Sequence, residues 1–380
     1  MAKKKSLGAN PLGNKAADPH LLHVIQGGAT ESRAEQPGPV ALVLSGRGAE
    51  AAFEVGVVSA LAAKSGFDAQ ILTGISLGAL NAAVLASHGG TLAEATTRLK
   101  GIWLDRMASE AWTGRNGFFR YRGDVRSFLN PTQLPGAVAN LVGDSSHWMR
   151  DALRHGARMV RAGDDLAPRM LWFADISSFL SLDPLADLVR DVVDMKAVRK
   201  SARRLRIATA DWVSGRLEIH EGSGLEGKTG HDRIVAAAAR PGLFPCVEID
   251  GTPQVDAAPF AASHLSAALD ASAGELHVPV FLSIRADDDR PTSTVDALDR
   301  MLAEFQMARL QREVTELRAH SPRPLTVHVY RGRLGPAQSH GFLDLRQERV
   351  RSLIEHGRQV ATKHDCREAG CLLRAGAPAR

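Results

Sequence analysis

The run Gly74-Ile75-Ser76-Leu77-Gly78 constrains what this chain can fold into more than any other stretch. Apolar Ala69-Gln70-Ile71-Leu72-Thr73 leads into it, and alanine-rich Ala79-Leu80-Asn81-Ala82-Ala83-Val84-Leu85-Ala86 leads out. The pattern predicts a strand, a sharp turn and a helix, with Ser76 at the apex. Such a turn is crowded, and a Cβ at Gly74 or Gly78 would collide with the neighbouring strand or helix. The turn lifts the hydroxyl above the sheet edge, where the positive N-terminal end of the following helix points at it. A G-x-S-x-G string alone arises by chance in a chain with 35 glycines. The strand before it and the helix after it make it a candidate nucleophile elbow.

The rest of the chain supplies a sheet for that elbow. Val40-Ala41-Leu42-Val43-Leu44 has the continuous apolar character of a strand buried on both faces. Ser45-Gly46-Arg47-Gly48 is the loop after it. Residues 49–64 read as a helix with Phe53, Val57, Val58 and Leu61 on one face, stopped by Gly66. Two βα units in succession imply a parallel sheet with right-handed crossovers. Further on, the pattern predicts a helix at 184–198 and a strand at 206–211 with an antiparallel partner at 216–220. A helix at 232–239 follows, then a hairpin at 247–255 that delivers Asp256. Strands at 278–284 and 325–329 and helices at 295–319 and 347–360 complete it. The 295–319 helix places Leu298, Met301, Leu302, Phe305, Leu310, Val314 and Leu317 at roughly helical spacing.

Residues 91–180 are looser and read as a mostly helical cap over the sheet edge. Their Trp103, Trp112, Phe118, Phe119, Trp148 and Trp172 serve chiefly to pack the cap onto the main domain. The expected layout is a loosely attached arm at 1–37, one domain at 38–364 and a C-terminal tail at 365–380.

Composition excludes several classes. The 380 residues are 44% hydrophobic but only 5% aromatic, so the core must be built mainly of Ala, Leu and Val. The net charge of +5 is modest and dispersed. With no zinc-finger spacing and no basic helix interleaved with aromatics, nucleic acid is excluded as a partner. Lys3-Lys4-Lys5 gives the start of the chain a local attraction for anionic lipid. Cys246, Cys366 and Cys371 are a sparse, odd set that suits a reducing compartment, and no metal-ligand spacing joins them to a histidine. No apolar region follows the N-terminal lysines and no run reaches transmembrane length. The expectation is a cytoplasmic protein, with peripheral membrane contact as an extension, and with no metal and no cofactor.

A nucleophilic serine needs an oxyanion site and a base. Backbone N–H groups of Gly46, Arg47 and Gly48 lie in the right loop, at the carboxyl end of the neighbouring strand and before a helix N-terminus. The same loop, Gly46-Arg47-Gly48-Ala49-Glu50-Ala51, also fits the dinucleotide fingerprint G-x-G-x-x-A. In that reading the ribose-binding acid should end the second strand, whereas Asp68 precedes it. For the base, a Ser-His-Asp triad could draw on His264, His277, His320, His328 or His340, none marked by its flanking sequence.

Asp256 is better marked. It follows Pro241-Gly242-Leu243-Phe244-Pro245-Cys246 and a short hairpin. With the Gly-rich loop and the elbow, in that order, this segment resembles the patatin-like phospholipases, a family of serine lipid acyl hydrolases. Ala208-Thr209-Ala210-Asp211-Trp212-Val213-Ser214-Gly215 resembles the family's middle strand and turn. The resemblance implies a three-layer α/β/α sandwich with a mostly parallel central sheet and a helical cap insertion. It implies Ser76 as nucleophile and Asp256 as the base acting on it directly. Gly46, Arg47 and Gly48 would hold the oxyanion, and a lipid ester would be the substrate.

Three departures from the family pattern stand out. The family loop reads G-G-G-x-R-G; here Arg47 replaces the second Gly, Glu50 the Arg and Ala51 the last Gly. Arg47 is expected to sit in a backbone geometry better suited to glycine. Glu50 reverses a charge near the oxyanion, or breaks an ion pair that braces the loop. Ala257 stands where the family's D-G-[GA] segment has Gly. Two rival readings stay open: an impaired or inactive lipid-binding protein, and a general esterase or thioesterase with a triad.

Overall fold

Strands form where short apolar runs can be buried from both sides. In the computed structural model these are β1 (Val40–Leu44), β2 (Ile71–Gly74), β5 (Arg204–Asp211), β6 (Leu217–His220), β7 (Val247–Ile249), β8 (Thr252–Asp256), β9 (Glu275–Leu282) and β10 (Thr326–Arg333). Two short strands, β3 (Arg120–Tyr121) and β4 (Leu180–Ser181), pair separately. The structure describes residues 38–108, 117–123, 134–161, 180–260, 265–269, 273–282, 294–320, 325–333, 343–369 and 371–373. The expected arm at 1–37 and Trp112, Trp172, His264 and His340 lie outside them.

The eight main strands make one sheet in the order β10-β9-β1-β2-β5-β8-β7, with β6 also on β5. From β10 to β5 all pairings are parallel. The β6, β8 and β7 pairings are antiparallel. Helices cover both faces, as the alternation along β1 requires. Leu42, Leu44 and Leu72 join the core beneath α1 (Ala51–Ala62), α2 (Gly78–Ala86) and α3 (Leu92–Gly101). Ala41, Val43 and Ile71 point the other way, into a second core. The result is a mostly parallel sheet between two helical layers.

The other helices are α4 (Leu134–Arg161), α5 (Asp183–Val192), α6 (Met195–Lys200), α7 (Gly227–Ala238), α8 (Ser266–Leu269), α9 (Thr294–His320), α10 (Gln347–Thr362) and α11 (Cys366–Ala369). The helix expected at 184–198 is two helices, because Asp194 caps a new one by accepting from Lys196 N at 2.8 Å. Helix α9 faces the sheet with Met307, Leu310 and Val314, whereas Met301 and Phe305 are exposed. Helix α1 crosses α10 closely enough that a Cβ on Gly56 would strike the Ile354 carbonyl.

Within the expected cap, Trp103, Phe118 and Phe119 are core residues; the two phenylalanines pack on Phe244. Beyond residue 364 the described part of the expected tail packs on the domain: Leu372 forms an antiparallel bridge with Val327 of β10, and Cys366 is buried. Among the described residues no helix is long and apolar enough to cross a membrane.

Candidate active site

Ser76 has φ 54°, one of two non-glycine residues with positive φ among those described. The left-handed region is costly for a serine, and such strain persists only where the surroundings impose it. Here they do. A Cβ on Gly78 would strike the Leu44 carbonyl, and one on Gly74 would strike the Ala79 backbone. The Ile75 N–H donates to the Leu44 carbonyl at 2.9 Å, and the Gly78 N–H to the Gly46 carbonyl at 3.2 Å. The elbow is thus stitched to the end of β1 and to the Gly-rich loop. Strand β2 and helix α2 meet at the serine as expected.

The sheet register explains how a carboxylate some 180 positions away meets this serine. Gly74 pairs with Ile207 on β5. Asp256 pairs with Thr209, two residues further along β5. Ser76 lies two residues past Gly74, so it and Asp256 arrive at the same level on either side of β5. The hairpin that delivers Asp256 turns through Asp250 (φ 51°) and Gly251 (φ 77°), the Asp-Gly geometry favoured in tight hairpins.

Asp256 is fully buried, and burial raises its pKa above the ordinary carboxylate value. Arg240, the Ala258 N–H, the Ser76 hydroxyl and Arg47 pull it back down, in that order. Its Oδ1 accepts from the Ala258 N–H at 2.9 Å. Its Oδ2 has no hydrogen-bond partner of good geometry among the described residues. The Ser76 hydroxyl therefore faces the carboxylate as a donor without closing a well-aligned bond, a common state of catalytic pairs before substrate arrives. Ala257 has no positive φ, so the departure from glycine there needs no special backbone.

The Gly-rich loop differs from expectation in two ways. Arg47 has φ −95° and ψ 128°, ordinary extended backbone; the left-handed residue is Gly48, with φ 46°. A side chain at position 47 is therefore unstrained. Second, Gly46 is not placed to hold an oxyanion. Its N–H donates to Glu54 Oε1 at 2.7 Å, as does that of Ser45 at 2.6 Å. Of the three expected donors this leaves Arg47 and Gly48. Glu50 does not face solvent: it is buried and pairs with Arg47 at 2.8 Å, with Arg47 Nε at 3.0 Å from the same oxygen. The charge at position 50 is thus reversed with respect to the family loop's Arg, and Arg47, where that loop has Gly, supplies the cation Glu50 pairs with.

Glu54 is the buried neighbour of the Gly-rich loop that sequence reading missed. Its Oε2 accepts from Asn81 Nδ2 at 2.9 Å, and Asn81 Oδ1 accepts from Trp103 Nε1 at 2.8 Å. Burial pushes the Glu54 carboxyl up to about 8, against three hydrogen bonds that favour its charge. The one available signal was a lone carboxylate on an otherwise apolar helix, Ala51-Ala52-Phe53-Glu54-Val55-Gly56-Val57-Val58. Beyond Asp256, Thr209 donates to Gln254 Oε1 at 2.6 Å and accepts from His220 Nε2 at 2.6 Å. This chain of bonds braces β8 beside the carboxylate.

The histidines considered for a triad sit elsewhere where they are described. His277 pairs with Leu42, two residues before the end of β1, and binds Glu275 and Tyr330. His328 lies beside it in register on β10. A cavity of about 30 Å³, room for a water or two, lies on the far side of the Gly-rich loop. Gly46, Arg47, Glu54, Pro279 and Met307 help to line it; Ser76 and Asp256 do not.

A strained serine at a strand–helix turn faces a buried carboxyl from a neighbouring strand, set in an α/β fold with a mostly parallel sheet. The patatin-like phospholipase family model matches residues 42–264, more than half of the chain, and the chain belongs to that family. No curated protein matches it. Among solved structures, VipD from Legionella pneumophila aligns over 86% of this chain and 66% of its own, with 12% identity and a TM-score of 0.40. The type III effector protein ExoU aligns over 86% of this chain and 52% of its own, with 17% identity and a TM-score of 0.28. This chain therefore spans about two thirds of the first and half of the second.

Proposed function

We propose that the protein hydrolyses carboxylic esters of phospholipids or lysophospholipids through an acyl-Ser76 intermediate, with Asp256 as the base. The observation that carries this reading is the pairing of a φ 54° serine with a buried carboxyl whose Oδ2 lacks a well-formed bond. Asp256 accepts the Ser76 proton as Oγ attacks the ester carbonyl. The Arg47 and Gly48 N–H groups are the candidate oxyanion donors. The proton returns to the leaving alcohol, and water then cleaves the acyl-enzyme by the same route. A raised carboxyl pKa makes Asp256 a better base than an exposed aspartate. We propose residues 38–364 as the catalytic domain, with the cap at 91–180 as its insertion. The exposed Val138, Val142, Met149 and Leu153 of α4 support a peripheral contact with lipid.

The test is turnover of phospholipid, lysophospholipid and short-chain esters, together with labelling by a fluorophosphonate. Labelling and turnover that vanish in Ser76→Ala support the reading. Turnover that survives Asp256→Asn but is lost on replacing one histidine favours the triad. An unlabelled, inactive but folded chain favours the lipid-binding protein, and the Gly46 N–H already engaged by Glu54 is the observation on that side.

A further inference from the structure

Four potential metal ligands converge at the β10 edge of the sheet, away from the elbow. His328 of β10, His364, Cys366 and Cys371 each offer one donor atom, and these four atoms lie within 4.8 Å of one another. Cys366 Sγ is 3.4 Å from His328 Nδ1 and 3.5 Å from His364 Nε2; Cys371 Sγ is 3.4 Å from His364 Nε2. A tetrahedral zinc ion with bonds of about 2.3 Å to sulfur and 2.0–2.1 Å to nitrogen would set S···N edges of about 3.5 Å. Three edges of that tetrahedron are therefore already in place.

The surroundings match those of a metal site as well. His328 Nε2 lies 3.6 Å from Glu275 Oε1, so a carboxylate stands behind the ring nitrogen that does not face the sulfur. This is the outer partner that usually orients a metal-bound histidine. Glu275 is itself held by His277 Nε2 at 2.9 Å. The Val329 N–H donates to Cys371 Sγ at 3.2 Å, which favours a thiolate. Both cysteines are buried and present as thiols. Burial, with Cys366 beside it, raises the pKa of the Cys371 thiol. A divalent cation overrides that by binding the thiolate.

We propose that His328, His364, Cys366 and Cys371 form a structural zinc site that fastens the C-terminal segment to β10. Binding releases two thiol protons to solvent and forms two Zn–S and two Zn–N bonds, leaving a neutral site with no open position. Its place explains its use. Strand β10 is the edge of the sheet, and the Leu372–Val327 bridge covers that edge for a single residue pair. The sequence reading passed over three ligands that lie within eight residues, and the fourth, His328, arrives from a strand 36 positions before His364. Only the sheet brings it to His364-x-Cys366-x₄-Cys371.

The full chain, expressed with zinc present and freed of loose metal by gel filtration, should hold about one zinc per chain by elemental mass spectrometry. Replacement by cobalt should give thiolate charge-transfer absorption and the intense visible bands of a tetrahedral site. Cys366→Ser with Cys371→Ser should abolish both, and Glu275→Gln should weaken zinc binding about 10–100-fold. If the double variant fails to fold, His364→Ala and a chelator competition on the unmodified chain provide the same readings. A metal-free chain from zinc-replete cells, a Cys366–Cys371 disulfide in the isolated protein, or zinc retained by the double variant would overturn the proposal. Fluorophosphonate labelling of Ser76 should persist in every variant, which separates this test from that of the esterase reading.

Discussion

The elbow and the β10 edge of this sheet carry buried polar clusters of opposite character. At the elbow, Ser76 is strained and Asp256 Oδ2 lacks a well-formed bond, while its raised pKa records the cost of burial. At the β10 edge, Cys366 Sγ, Cys371 Sγ and Glu275 Oε1 each have at least two neighbours in the cluster. A group held short of its best partner is poised to react, whereas a saturated group is poised to hold. The same fold thus builds two buried polar clusters from similar ingredients, and they differ in how many bonds each atom is allowed.

The sharpest way to break this contrast is to remove a group at each end and ask what is lost. Ser76→Ala and Asp256→Asn should each lower ester turnover by about 10⁴-fold or more, as loss of a member of a cooperating pair does. Neither should lower the urea midpoint. Asp256→Asn should raise it, since an amide is cheaper to bury than a carboxylate. A large loss of stability with either variant would mean that the elbow, too, is built to hold.

Glu50→Gln tests the Gly-rich loop beside the elbow. The carboxylate pairs with buried Arg47 and attracts the guanidinium of buried Arg349. Removing one partner of a buried ion pair typically costs about 3–5 kcal/mol. Denaturant unfolding should show a loss of that order. Glu50→Arg, which copies the family residue alone, should be worse, because it adds a third cation to Arg47 and Arg349. Restoring the family loop requires changing position 47 in the same step.

Much of this was legible in advance, for identifiable reasons. The elbow was readable because its parts are local: strand, glycines, serine and helix fall within about twenty consecutive residues, and each leaves a mark on composition. The Asp256 hairpin was readable from Asp250-Gly251. What escaped notice is what the sheet alone assembles. Glu54 reaches back to Ser45 and Gly46 from within α1, and nothing in Gly46 itself reveals that its N–H is taken. Met301 and Phe305 are exposed although they share helical spacing with buried Leu310 and Val314, a difference that periodicity does not report. The four-ligand cluster joins β10 to a segment beyond residue 363, and a reading that follows sequence spacing leaves out the strand contribution.

Glu54 offers a test that follows pH. Its folded pKa of about 8 stands above its ordinary 4.5. Between those values the native chain keeps a proton that the unfolded chain has released. Its contribution is therefore present in full below pH 4.5 and is lost as pH rises to about 8. The slope from this group approaches about 1.4 kcal/mol per pH unit. Urea titrations across the window should show it in the unmodified chain and a flatter profile in Glu54→Gln. Identical profiles would mean that the three donors around Glu54 keep it charged throughout.

The smallest effect discriminates best between the clusters. Arg240 is the largest of the influences that lower Asp256 against its burial. Asp256 must be ionised to take the Ser76 proton, so kcat/KM should rise with pH through the carboxyl's raised pKa and level off above it. Arg240→Met removes the cation and should move that acid limb to higher pH, leaving the plateau rate the same order of magnitude. The zinc content should not change, because Arg240 belongs to the elbow end alone. An acid limb that stays in place while the plateau collapses would assign Arg240 to the loop's architecture, and the strained serine would then owe its reactivity to geometry and not to a tuned base.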